Sequence, residues 1–228
     1  MKITIFSEKN TEEIKLFLGN GFEFVEENPE IVLVQGGDGM LLKSEIAFPE
    51  IPKLLIKGSQ ICKLCSPIDN EKILEKFKNN SYSIEEFMKL EARVEGKDSL
   101  IGINDITVHN ADARHAIRYK VYINQKSVVN GNEIIGDGIV VATPLGSTGY
   151  YRSITDSFFE VGMGLAFNNS TEQSDHMVLK ENAVIELEIT RGPALVYADN
   201  NPNSITLENG AKVVVSKSDK KAKIIRII

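Results

Sequence analysis

Gly36-Gly37-Asp38-Gly39 stands directly after an apolar run, Ile31–Gln35, and directly before a helical pattern that begins at Met40. A turn of glycines has no Cβ atoms to hold a ligand away from the backbone. Successive N–H groups at the start of a helix then form a site for anions such as phosphate. An aspartate in such a turn opposes an anion unless it has a task of its own. Two tasks suit Asp38: accepting a proton from an attacking hydroxyl, or holding a metal ion. The plain alternative is a tight turn in which Asp38 caps the helix. The turn is neither a Gly-Lys-[Ser/Thr] phosphate loop nor a G-x-G-x-x-G dinucleotide fingerprint.

A second stretch, Gly136-Asp137-Gly138-Ile139-Val140-Val141-Ala142-Thr143-Pro144-Leu145-Gly146-Ser147-Thr148-Gly149-Tyr150, runs from an apolar strand into a turn with hydroxyls and an aromatic ring. Tyr150 could pack on a base while Ser147 or Thr148 binds polar edges; the alternative is a strand, a turn and Thr148 capping a short helix. A third stretch, Gly102–His109, places Asn104-Asp105 in an otherwise apolar strand, which is costly unless both side chains find partners. Cys62 and Cys65 are the two cysteines. They lack further zinc ligands and read either as a redox pair or as two reduced, partly buried thiols. His109, His115 and His176 show no metal-ligand spacing.

The elements that must carry these residues change character along the chain. Lys2–Ser7, Ile31–Gln35 and Lys53–Ile56 read as buried strands, and Thr11–Gly19, Met40–Phe48 and Asp69–Asn79 as helices, the last capped by Asp69 or Asn70. Strand–helix alternation of this kind predicts a parallel sheet covered by helices. Beyond residue 80 the pattern is strand-like: Ser81–Val94, Leu100–His109, Ala116–Val129, Gly138–Ala142, Val184–Thr190 and Ile205–Ser216, with a short helix after Ser147. The basic stretch Lys217–Lys223 reads as an exposed turn, and Lys223–Ile228 as a last strand able to pair with either half. The fold class expected is an α/β N-terminal domain followed by an all-β domain.

The 228 residues carry a formal charge of −6, which argues against nucleic acid as a partner. No stretch is apolar enough to span a membrane or to serve as a signal-peptide core, so a cytoplasmic location is expected.

Taken together, the order and wording of the three stretches resemble the NAD kinase family: a GGDG turn after a strand, an Asn-Glu pair, then GDG-x-x-x-[ST]-TP-x-GSTAY. Here these stand as Gly36–Gly39, Asn104-Asp105 and GDGIVVATPLGSTGY. The resemblance implies the family's two-domain architecture, over 1–80 and 81–222, with 223–228 returning to the first domain. It also implies transfer of the terminal phosphoryl of ATP, or of polyphosphate, to the 2′-hydroxyl of the adenosine ribose of NAD. Mg²⁺ or another divalent cation would accompany ATP, with no tightly bound structural metal, and the assembly would be a homodimer or homotetramer.

Carried over by position, Asp38 matches the proton acceptor, Gly39 its neighbour at the nucleotide, and Asn104 and Asp105 the pair that binds adenosine. Asp137 matches the aspartate that reaches a dinucleotide on a neighbouring subunit. Thr148, Gly149, Tyr150 and Ser153 match the adenosine-binding TAY-x-x-S stretch. Asn201 stands where Asp-Gly-Gln has its ligand-contacting glutamine. Gly36 and Gly37 would hold phosphate, with Lys43 beside them either neutralising charge or lying on a solvated helix face. The chain differs from the pattern at Asp105, at Ile135, at Gly149 and through Lys57–Leu64, where a glycine-rich loop is absent. Two alternatives remain open: a non-catalytic NAD(P)-binding protein, or a kinase for another hydroxyl such as that of a lipid or sugar.

Overall fold

The computed structural model describes residues 1–60, 62–172 and 176–228. It divides into two compact units, Met1–Phe87 with Lys221–Ile228, and Met88–Lys220. The first contains β1 (Lys2–Ser7), α1 (Glu12–Leu18), β2 (Glu23–Phe24), β3 (Ile31–Gly36), α2 (Asp38–Ala47), β4 (Lys53–Lys57) and α3 (Asn70–Lys78). The strands form a parallel sheet in the order β4-β3-β1-β2, and Ile224 from the chain's last strand pairs in parallel with Lys53 beyond β4. β3 shows why the apolar run is unbroken. Leu33 faces a cluster with Ile14 and Leu18 of α1 and with Ile73, Leu74 and Phe77 of α3, whereas Val32 and Val34 face Leu41 of α2. A parallel strand covered by helices on both sides has no solvent face to keep polar. The fully buried Lys53 ammonium pairs with Glu45 of α2; removing either partner alone would strand a buried charge.

β5 (Tyr82–Val94) begins in the first unit and ends in the second. There follow β6 (Leu100–Gly102), β7 (Asp105–Asn110), β8 (Ile117–Ile123), β9 (Lys126–Ser127), β10 (Ile134–Gly136), β11 (Gly138–Ala142), α4 (Tyr150–Thr155), β12 (Met163–Asn168), β13 (Met177–Leu179), β14 (Ile185–Arg191), β15 (Ala194–Ala198), β16 (Ser204–Leu207) and β17 (Lys212–Ile227). Six strands form an antiparallel sheet, β13-β12-β11-β7-β15-β16. A second antiparallel layer runs β10-β8-β14 and on to the first residues of β17. Alternation decides what lies between the layers. Ile106, Val108, Ile139, Val141, Leu165 and Val196 point into one apolar cluster with Tyr119, Val121, Leu187 and Val213. The intervening residues of β7, β11, β12 and β15 lie on the opposite face, where Ala142 and Ala166 meet Tyr151 of α4.

Several expectations need correction. The compact units divide after Phe87 and after Lys220 rather than at 80 and 222, because β5 and β17 are single unbroken strands that run through both divisions. Leu100–His109 is two strands, broken at Ile103-Asn104. Lys217–Lys223 belongs to β17 rather than to a turn; Ser218 and Ala222 within it are buried, as are Val215 before it and Ile224 after it. Asp69 sits at the start of α3 but its side chain makes no capping bond. Asn70 instead accepts from the Lys57 amide at 3.0 Å and donates to the Lys57 carbonyl at 2.9 Å, fixing the end of β4.

Candidate functional site

In the first unit the chain leaves β3 at Gly36 and enters α2 at Asp38, with Gly37 at the cap position and no side chain capping the helix. Asp38 is therefore not the cap. Its carboxylate turns to a neighbouring segment and accepts N–H bonds from Lys63 at 3.1 Å and Leu64 at 3.2 Å. The Gly58 amide bonds the Gly36 carbonyl at 3.0 Å, and a Cβ on Gly58 would lie 2.9 Å from the Gly36 nitrogen. Glycine at 58 is thus what lets the segment after β4 press against the turn. Cys62 and Cys65 are joined by a disulfide, with the Cys62 sulfur 3.6 Å from Asp38 Oδ1. Lys43, one turn into α2, pairs with Glu8 at 2.7 Å on the surface, an exposed ion pair of small energetic weight.

In the second unit, three of the sequence segments meet at the ends of adjacent strands. β7 begins at Asp105, beside Ala142 at the end of β11, and Ile106 pairs with Ala198 at the end of β15. The segment after each strand end is bonded to the Ile103–Asp105 turn. The Thr143 amide donates to the Asn104 carbonyl at 2.8 Å, and the Thr143 hydroxyl to the Ile103 carbonyl at 2.5 Å. A Cβ on Gly146 would lie 2.1 Å from the Asn104 carbonyl oxygen; glycine is required because one backbone rests on the other. From the third strand, the Asp199 carboxylate accepts the amides of Ile103, Asn104 and Asp105 at 2.7, 2.7 and 3.0 Å.

The electrostatics follow from this packing. Asp105 is buried, and burial, with the Asp199 charge adding to it, pushes its carboxyl up to about 7; the Thr107 hydroxyl, 3.4 Å away, works the other way. Burial also raises Asp199, against its three amide bonds and the charge of buried Lys89. Tyr150 opens α4 and lies half-buried, its hydroxyl accepting from Asn168 at 2.9 Å. Its pKa is raised by burial and by the charges of Asp137 and Asp105. Tyr197 on β15 is raised by burial and feels Tyr150 and Asp105. Asp137, at the head of β11, is held by the Asn110 and Asn169 amides at 3.3 and 3.1 Å. Gly138 behind it has φ 134° and would place a Cβ 1.9 Å from the Val108 carbonyl oxygen.

The structure thus gathers Asn104, Asp105, Asp137 and Tyr150 in one unit and sets Asp38, with Gly36, Gly37 and Gly39, at a helix start in the other. The remaining candidates have local partners. Ser153 donates to the Tyr150 carbonyl at 2.7 Å, and Asn201 accepts from the Asn203 amide at 3.0 Å within the turn after β15. Thr148 lies in a single 3₁₀ turn, and Gly149 rather than Thr148 occupies the cap of α4. Three contributors were not legible as such: Asp199, Tyr197, and the amides of Lys63 and Leu64. Asp199 sits two residues before the flagged Asn201, so its motif pointed to the place but not to the role. Among the described residues no group of three His, Cys, Asp or Glu is placed to hold a metal ion.

The chain is similar to known proteins in sequence and in fold. The ATP-NAD kinase C-terminal domain family matches residues 103–227. The chain is 27% identical to an NAD kinase of Clostridium beijerinckii, over 99% of this chain and 84% of the relative. It is 26% identical to an NAD kinase of Sulfurisphaera tokodaii, over 99% and 95%. In fold it is similar to an NAD kinase from Archaeoglobus fulgidus solved in complex with ATP, with a TM-score of 0.80 and 20% identity over 99% of this chain and 93% of that one. Yeast NADH kinase complexed with NADH gives a TM-score of 0.82 at 14% identity, over 100% and 83%. With the family match extending over more than half of its residues, this chain belongs to the ATP-NAD kinase family.

Proposed function

We propose that this chain phosphorylates NAD, passing the terminal phosphoryl group of ATP to the 2′-hydroxyl of the adenosine ribose to give NADP and ADP. The observation that carries the reading is Asp38: it stands at a glycine turn on a helix start, is not used to cap that helix, and has its carboxylate fixed by two amides. In the proposed reaction Asp38 accepts the hydroxyl proton as the ribose oxygen attacks the terminal phosphorus and ADP leaves. Positioning and charge neutralisation supply most of the rate in such transfers. The amides of the Gly36–Gly39 turn hold phosphate oxygens, with Lys43 near enough in sequence to assist by exchanging Glu8 for the nucleotide.

The adenosine portion of NAD is read by the second unit. Asn104 and Thr148 offer polar contacts, Gly149 leaves the backbone open, the Tyr150 ring gives a stacking face, and Ser153 and Asn201 lie on the flanking turns. Asp105 reaches the ribose hydroxyls as a short carboxyl group pushed up to about 7 by burial, so that it exchanges its proton near neutral pH. Asp137 serves a dinucleotide held by a neighbouring copy, so the working assembly is a homodimer or homotetramer, which light scattering reads directly. The ion fits as one carried by the nucleotide. Mg²⁺ typically takes substrate phosphates, water and one or two carboxylates, and Asp38 is the carboxylate of the glycine turn. When bound, the ion offsets phosphate charge. No helix of the described residues is long and apolar enough to cross a membrane, in keeping with a cytoplasmic enzyme.

The differing segment Lys57–Leu64 favours one rival, a dinucleotide-binding protein without a phosphoryl donor. Calorimetry with a non-hydrolysable ATP analogue, in the presence of NAD, separates the two. The kinase shows binding that depends on Mg²⁺ and is weakened by Gly37→Val, whose side chain would crowd the turn. Tight NAD binding without any analogue binding would support the rival.

A further inference from the structure

The reaction as described leaves one reactive pair unused. Cys62 and Cys65 are half-buried, disulfide-linked, and bracket the two residues whose amides hold Asp38. The far end of this short segment is anchored independently of the crosslink. The Leu64 carbonyl accepts from Arg226 Nη1 at 3.0 Å, and Leu64 and Cys65 pack on the cluster around Val34, Leu41 and Leu55. The disulfide extends that anchorage from Cys65 back to Cys62, across the Lys63 amide. A cavity of about 230 Å³, lined in part by Lys63, Leu64, Cys65 and Arg226, gives the segment space to shift into.

We propose that Cys62 and Cys65 form a redox-modification site for dithiol reductants, and that its state sets how firmly Asp38 is positioned. The inference rests on the reading of Asp38 as proton acceptor. In the disulfide state a crosslinked segment presents both amides to the carboxylate and restricts the chain between them. On reduction, a thiolate of the dithiol attacks one sulfur, the Cys62–Cys65 bond breaks and a mixed disulfide forms. The second thiolate displaces the other sulfur. Two electrons and two protons end on the cysteines as thiols, and the reductant leaves as a cyclic disulfide. The Lys63 amide then moves with the released segment, Asp38 loses a fixed orientation, and turnover slows. A low-molecular-weight disulfide reverses the exchange.

The test uses the purified chain prepared without reductant, treated with dithiothreitol or left untreated, and then with glutathione disulfide. Alkylation and intact mass count the free thiols, while NADP formation gives kcat and KM. Reduction should release two thiols and lower kcat about three- to tenfold, the net worth of roughly one ordinary hydrogen bond. KM for NAD should change little, and reoxidation should restore the rate. Cys62→Ser/Cys65→Ser should show the reduced rate and no response to either reagent. Two thiols released with kcat unchanged, or a double serine variant as fast as the oxidised chain, would overturn the proposal. Asp38→Asn run alongside separates the two claims. A slow Asp38→Asn variant with a redox-indifferent wild type removes the switch alone, whereas a fast Asp38→Asn variant removes the role given to Asp38 and the switch with it.

Discussion

Asp38 and Asp199 are both carboxylates held by backbone amides, and they are held in different ways. Asp199 is buried and takes three N–H groups from the consecutive residues Ile103, Asn104 and Asp105. Asp38 is half-exposed and takes two from Lys63 and Leu64, on a segment closed by two cysteines. The first arrangement satisfies orphan amides of a turn inside a β-sandwich and leaves the carboxylate little room for anything else. The second orients a group that still faces solvent and a helix start. A carboxylate with its lone pairs shared among buried amides is scaffolding; one aimed by two amides and otherwise open is suited to proton chemistry. On the proposed reading, the second unit shapes a ligand site and the first presents the proton acceptor.

The comparison is tested most strongly at Asp38. Asp38→Asn keeps one of the two acceptor oxygens that the Lys63 and Leu64 amides use and cannot take a proton, so turnover should fall on the order of 10²–10⁴ while the melting temperature changes little. Steady-state NADP formation beside a thermal melt checks both halves; a melt that falls with the rate would make Asp38 structural as well. Asp199 should behave in the opposite way. Asp199→Ala leaves three amides without an acceptor, for a stability loss of about 2–4 kcal/mol measured by urea unfolding, and weaker NAD binding follows from the loosened turn. Asp199→Asn, which keeps one oxygen, should lose less.

A smaller effect sharpens the picture of the buried pair. Asp105 titrates near 7 in the folded chain and near 4 when unfolded. Between those values the folded chain binds a proton that the unfolded chain has released, so stability falls as pH rises through that window and levels off above it. Asp105→Asn removes that component. The difference in melting temperature between variant and wild type should grow in the variant's favour from pH 5 to pH 8; parallel curves would show that Asp105 is ionised throughout.

Much of the architecture could be read from the residues because local signals agreed with the fold. The continuous run Ile31–Val34 had to be a doubly covered strand, and the GGDG turn had to follow it. The later strands were harder to place. Met163–Asn168 is buried on both faces and carries Gly164, whose missing Cβ makes room for the rings of Tyr151 and Phe159, so no alternation marks it. Ala194–Ala198 follows Gly192-Pro193, which reads as a turn. The Asn104-Asp105 cost was visible, but the acceptor of their backbone amides was not, since Asp199 lies over 90 residues away. The amides of Lys63 and Leu64 had no signal at all: any residue other than proline supplies an N–H, and only the folded path of the chain aims it at Asp38.

The central claim, that this chain makes NADP with Asp38 as proton acceptor, is tested most directly by incubating the purified wild-type protein and its Asp38→Asn variant with NAD⁺, ATP and Mg²⁺. An NADP⁺-specific dehydrogenase reads the product. The account predicts NADP⁺ accumulation that requires nucleotide and divalent ion together and is nearly lost in the variant. No NADP⁺ from the folded wild type with either ATP or polyphosphate, or equal rates from the two proteins, would contradict it.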